Sequence, residues 1–205
     1  MDTQATGGIC GTVAGRPTPW RIVRIWAAAL VPGTRRSSRD GAAATATAPH
    51  SQTLRQNLLC LVVMELAAAV PISSMLPPAV RVAHAVLEAV LILAGLGTVA
   101  ALARAPHEVR GDALVLRTGF LGEVQLPREA VRSVGSTVRT VPGCGPRPVP
   151  GEPNAVACSV DGNVNVVLRL APPVHLDLGP VGRVAAETLY TSAESATALR
   201  AALAS

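Results

Sequence analysis

Three observations predict an α+β membrane protein, a two-helix transmembrane hairpin followed by a small antiparallel β barrel or sandwich with a C-terminal helix. Two apolar runs occupy residues 58–76 and 82–103; the hydrophobic period switches from helical to alternating after Pro106; and the net charge of +5 is gathered ahead of the first run. The implied plan is a basic, mostly disordered arm over 1–53, the hairpin over 54–104 and a cytoplasmic β domain over 105–205. Composition narrows the function classes. All 18 basic residues are arginine, only 15% of residues are charged, and the rings are Trp20, Trp26, Phe120 and Tyr190. A nucleic-acid binder would carry basic clusters with stacking aromatics, and a wholly disordered chain would be charged and poor in apolar residues.

In the arm, residues 1–17 and 33–53 are rich in Gly, Ser, Thr, Ala and Arg without apolar period, which reads as linker. Between them Thr18 offers an N-cap, Pro19 suits the first helical position, and Pro32-Gly33 stops the segment. The resulting helix over 19–31 places Arg21 and Arg24 on a narrow face, with Trp20 and Trp26 among the apolar residues on the rest. Such a helix lies at a bilayer interface, its tryptophans at headgroup level and its arginines beside anionic lipid. A disordered tail, or a start codon placed too far upstream, is the alternative. Neither a secretory nor a twin-arginine signal fits, because the apolar stretch 25–31 is short and Thr34-Arg35-Arg36 lacks the apolar residues that should follow.

The two runs are 19 and 22 residues long with one glutamate each. About 20 helical residues cross a hydrocarbon core of about 30 Å. Residues 77–81 between them are too short to cross anything, so the helices form an antiparallel hairpin with both ends on one side. Residues 1–55 hold seven arginines against Asp2 and Asp40; residues 56–105 and residues 106–205 are each neutral. Counting positive charge near the membrane ends sets Arg55, Arg104 and Arg110 against Arg81 alone at the turn. The expectation is a multi-pass protein of the inner cell membrane with both termini cytoplasmic.

Within the spans, Glu65, Arg81, His84 and Glu88 are the polar candidates, with Arg81, His84 and Glu88 sharing one face of the second helix. One reading makes Glu65, His84 and Glu88 a proton or ion relay with Arg81 as counter-charge, which needs several copies to enclose a pathway. The other, favoured, is a hairpin seam in which Glu88 pairs with His84 or Arg81. Small residues at Ala85, Ala89, Gly95 and Gly97 permit close helix approach.

After Pro106 the segments 113–118, 123–127, 131–141, 155–160, 164–170, 174–178 and 184–190 read as strands, and 142–153 as a Gly/Pro-rich loop. Val164, Val166, Leu168 and Leu170, then Val174, Leu176 and Leu178, alternate toward a core and leave Asn165, Arg169, His175 and Asp177 outside. Thr191-Ser192-Ala193-Glu194 has the capping-box pattern for a terminal helix over 192–203.

The stretch from Pro106-His107 through 112–119, then Val124-Gln125-Leu126-Pro127 and Val131-Arg132-Ser133-Val134, resembles the opening of bacterial pleckstrin-homology-like domains. Residues 165–170, 173–176 and the terminal helix are similar to the closing strands and helix of that fold. With two spans in front, the chain from about Leu54 onward resembles uncharacterised actinobacterial integral membrane proteins, a likeness that implies fold but brings no catalytic residues.

Cys10, Cys60, Cys144 and Cys158 contain no C-x-x-C pair, and the spacing of Cys144, Cys158 and His175 matches no familiar zinc site. No P-loop, nucleophile elbow or acid-base carboxylate pair is visible. The expected function is therefore a non-catalytic, membrane-anchored binding or scaffold domain without cofactor, metal or small-molecule substrate. Its partners would be the lipid bilayer and a protein or second copy, not nucleic acid; the alternative is an oligomeric ion pathway.

Overall fold

Residues 9–14, 18–30, 46–118 and 121–205 are described by the structure, a computed structural model. The hairpin consists of α2 (Gln52–Met75) and α3 (Pro78–Arg104), preceded by α1 (Pro19–Leu30). Both hairpin helices are long and apolar enough to cross a membrane. Prolines make the turn. Leu76 precedes Pro77 and Pro77 precedes Pro78, which bars the α conformation at both, and both are extended; Pro78 itself fits the first position of α3, where no N–H is needed. The helices overrun the apolar cores at 58–76 and 82–103 by polar or proline-led first turns.

Burial differs between them. Of the most apolar window in α2 only 6% is buried, against 22% in α3, because α3 is flanked by α2 on one side and α1 on another. Glycines set both approaches. A Cβ on Gly95 would run into Val62 of α2, and one on Gly97 would stand 2.7 Å from Cβ of Trp26 in α1.

The remainder is a ten-stranded sheet with β1 (Ile9–Ala14), β2 (Ala46–Ala48), β3 (His107–Arg110), β4 (Ala113–Arg117), β5 (Glu123–Pro127), β6 (Val131–Thr140), β7 (Gly145–Val149), β8 (Glu152–Ser159), β9 (Asn163–Asp177) and β10 (Arg183–Thr191). Their order is β2-β3-β4-β5-β1-β9-β10-β8-β7, with β6 paired to β9 off this path. Short 3-10 turns, Arg128–Ala130 and Gly179–Val181, link β5 to β6 and β9 to β10.

Of the expected barrel or sandwich, the barrel is corrected: the ten strands form one open sheet. Closure needs two terminal strands able to pair. Here one terminal strand, β2, has three residues, and the other, β7, carries Pro146 and Pro148, which have no N–H to donate. Nor is the sheet wholly antiparallel, since β1 runs parallel to β9 and β8 parallel to β10. The expected strands 164–170 and 174–178 are halves of one strand, β9, which β10 pairs along both.

The arm differs most from its expectation as a linker. Residues 9–14 form β1, which joins β5 to β9, and 46–48 form β2 beside β3. The rest of the arm outside α1 lies mostly beyond the described residues.

The alternating faces behave as expected. All seven inward residues of β9 and its end are buried. Val166, Leu168, Leu170, Val174, Leu176 and Leu178 meet Leu114, Leu116, Val124 and Leu126 of β4 and β5 in one core under α4 (Ala196–Ala204), while Val164 packs in a second cluster with Val141, Val149, Ala155, Ala157 and Tyr190. The helix starts later than its capping-box pattern suggests. Thr191 is still paired to Val166 in the sheet, the Ser192 carbonyl accepts from His107, Ala193 is bonded through its backbone N–H and C=O to the Asn165 side chain, and Glu194 N–H donates to Pro49. With 191–194 so committed, Ser195 becomes the cap, its Oγ accepting from Ala198 N at 3.0 Å.

Candidate functional site

The most elaborated polar cluster lies where the hairpin joins the sheet. His50 stands just before α2 and His107 just after α3, so the hairpin brings together two rings far apart in the chain. They meet edge to face with centroids 4.5 Å apart. His50 Nε2 lies 2.8 Å from the Ala105 carbonyl and His107 Nε2 lies 2.9 Å from that of Ser192. Carbonyls only accept, so both Nε2 atoms carry the proton. Nδ1 of His107 accepts from the Arg117 N–H at 3.1 Å, which leaves that ring neutral with both nitrogens satisfied.

Burial depresses both rings below the ordinary histidine value of 6.5. His107 is held at about 3, chiefly by desolvation and further by His50 and Arg117, while its bond to Ser192 opposes the shift. For His50 desolvation again leads, with Arg55 and Arg117 adding to it against backbone hydrogen bonds. Beside the pair, the buried Glu108 carboxylate receives Arg117 at 2.6 Å and Arg110 at 2.5 Å, and Arg117 also reaches Glu123 at 3.4 Å. Together with the Glu194 to Pro49 bond, these contacts fasten both roots of the hairpin to the sheet and to the segment before α4. Sequence reasoning passed over this cluster. The signal was one histidine flanking each end of the hairpin.

The residues singled out in the spans are only partly assembled. His84 Nε2 and Glu88 Oε1 approach to 3.6 Å one helical turn apart, and Glu88 Oε2 is buried without a hydrogen-bond partner. Glu88 and Gly95 share a face by helical spacing, and Gly95 meets Val62, so the pair lies on the α2 side of α3. Arg81 is elsewhere. Its Nε donates to the Leu76 carbonyl at 2.9 Å and its Nη2 to that of Ser74 at 3.3 Å, closing the C-terminal end of α2 where the helix dipole is negative. Glu65 is half-buried, and among the described residues no hydrogen bond or ion pair joins it to the other three.

Of the interfacial candidates, Trp26 is half-buried against Gly97, whereas Trp20 and Arg24 are exposed; the Arg21 side chain lies outside the described set. α1 is therefore seated on α3 rather than standing alone.

The cysteines are scattered. Cys158 is in the core, its thiol pushed up to about 12 by burial, while Cys10, Cys144 and His175 line an open cleft of about 1220 Å³ with Arg147, Asp177 and Arg183. Among the described residues no three His, Cys, Asp or Glu side chains form a metal-ligating group.

The sheet also has a free edge. Among the described residues β6 pairs only with β9; its Val134 carbonyl accepts from Arg200 Nε at 2.9 Å, and Val138, in a bulge, is 100% exposed. Compared with known protein families, curated proteins and solved structures, the chain has no significant match.

Proposed function

We propose that the chain is a membrane-anchored, non-catalytic binding or scaffold module, with both termini cytoplasmic, that holds a protein partner or a second copy at the inner face of the cell membrane. The finer fold reading, a pleckstrin-homology-like domain behind two spans as in actinobacterial integral membrane proteins, belongs to the same proposal. The observation that supports it best is the outer edge of the ten-residue strand β6, which pairs with no second strand among the described residues and has Val138 in water, on a sheet bolted to two apolar helices. Open strand edges bind extended segments of other chains through their backbone ladder. Cross-linking in membranes, read by mass spectrometry, tests it. Links from β6 to one partner or to a second copy are expected, with loss of those links in Val138→Glu. Recovery of neither from the unaltered protein overturns the reading. Reporter fusions at Ser205 and near Pro78 test the topology independently, and a C-terminus outside the cell would overturn it.

A second reading rests on His84 and Glu88, a titratable pair inside an apolar helix with one carboxylate oxygen unpartnered. In this reading several copies form a proton or ion pathway using Glu65, His84 and Glu88. Glu65→Gln with Glu88→Gln would abolish pH-dependent flux in vesicles, whereas a packing role would leave flux unaltered.

A further inference from the structure

Without residues 9–14 the sheet would fall into two parts. β5 would pair only with β4, and the C-terminal half of β9 only with β10. β1 enters this gap from outside the contiguous β region and changes partner halfway. Its residues Ile9, Cys10 and Gly11 run parallel to Val174, His175 and Leu176, and Thr12, Val13 and Ala14 run antiparallel to Gln125, Val124 and Glu123. Each side thus offers three residue pairs, a short ladder of the kind that opens locally without unfolding the rest.

Side chains add a specific lock. Cys10 and Thr12 are exposed, Gly11 is buried and Val13 packs against the main core. At Gly11 an added Cβ would stand 2.6 Å from Leu176 Cδ2, 2.8 Å from the Gln125 carbonyl oxygen and 3.1 Å from Val174 Cγ1. The leucine tip can move aside, but the carbonyl belongs to the β5 backbone and cannot. The gap therefore selects an extended segment with glycine, one residue of any kind, then a small apolar residue.

We infer that the gap between β5 and β9 is a peptide-binding groove, that residues 9–14 occupy it in cis, and that it accepts the same Gly-x-Val segment offered in trans. This groove is separate from the outer edge of β6. Because β1 leads within a few residues into α1, which sits on α3, an occupant in trans would also release the link that runs through α1, while the contacts at the hairpin roots stay in place.

The register supplies a probe, since Cys10 and the exposed His175 are partners. In full-length detergent-solubilised protein carrying Cys60→Ser, Cys144→Ser, Cys10→Ser and His175→Cys, the peptide Ile-Cys-Gly-Thr-Val-Ala is added with its cysteine activated as a thiopyridyl disulfide. The thiol introduced at position 175 attacks the peptide sulfur, forming a peptide–protein disulfide and releasing thiopyridone. With Gly11→Leu expelling the arm, labelling should be about tenfold faster than with Gly11 intact, and a peptide with leucine in place of glycine should label about tenfold more slowly. Equal labelling of both chains, equal labelling by both peptides, or no labelling overturns the proposal. A second arrangement does not depend on Gly11→Leu. When Cys10 is kept beside His175→Cys and oxidised glutathione is added, the mixed disulfide formed at one thiol is attacked by the other, giving a disulfide between Cys10 and position 175 and two reduced glutathiones. An excess of the cysteine-free peptide Ile-Ser-Gly-Thr-Val-Ala should slow formation of this disulfide, and the leucine peptide should not; no slowing overturns the proposal.

Discussion

The hairpin and the sheet use the same aliphatic residues in opposite ways. Leu61 of α2 is 60% exposed and Val70 75%, while Leu168 of β9 and Leu116 of β4 are 0% exposed. The polar groups invert in the same manner. In the hairpin His84 and Glu88 turn inward to the seam and find an incomplete partner in each other, whereas the histidines at its root are buried with each Nε2 bonded to a carbonyl. The sheet folds by withdrawing apolar surface from water. The hairpin leaves its apolar surface outward on two helices long and apolar enough to cross a membrane, and close packing at glycine joins them.

Truncating one leucine in each region should break the symmetry most sharply. Leu168→Ala should cost about 3 kcal/mol of stability, while Leu61→Ala in detergent should stay within about 0.5 kcal/mol, measured by unfolding followed by circular dichroism. Equal losses would mean that the outer face of α2 is packed against protein.

Acid should then separate the root from both. His107, held at about 3 against 6.5 when unfolded, binds fewer protons in the folded chain, so its contribution is complete above pH 6.5 and lost as pH falls from there toward 3. From pH 7 to 5 that ring alone should remove about 2 kcal/mol, with His50 acting in the same direction. His107→Gln should flatten the profile in that window; an unchanged slope would relocate the pH dependence.

Helix packing comes next in size. Gly97→Leu overfills the contact with Trp26 and should cost about 1.5 kcal/mol, and in a Trp20→Phe background it should make Trp26 fluorescence more accessible to a quencher. The smallest effect is expected at the turn, where Arg81→Ala should cost about 0.5 kcal/mol by exposing the last carbonyls of α2, while leaving flux and pH response unchanged.

Much of this arrangement was legible in the chain. The hairpin announced itself through two unbroken apolar runs, and the inward positions of β9 through strict alternation, because both patterns are local and their periods differ. The α1 boundaries followed from Pro19 and Pro32-Gly33. β1 and β7 left no such mark. Ile9–Ala14 has one glycine and few large apolar residues, and Gly145–Val149 reads as a turn because Pro146 and Pro148 sit on an edge where their missing donors do no harm. The site was harder still. Spacing placed Arg81, His84 and Glu88 on one face, but it could not show that long-chained Arg81 reaches back to the carbonyls of α2 instead.

The amino-acid sequence alone determined two apolar helices, a basic arm ahead of them and a strand-rich region behind, because length, composition and period act within a few residues. Only the tertiary structure decided that the arm supplies the strand joining β5 to β9, that the sheet remains open, and that His50 and His107 meet. Those outcomes depend on backbone hydrogen bonds and close approaches between residues distant in the chain, and a main-chain N–H or a vacant Cβ position at Gly11 leaves no periodic trace in the sequence.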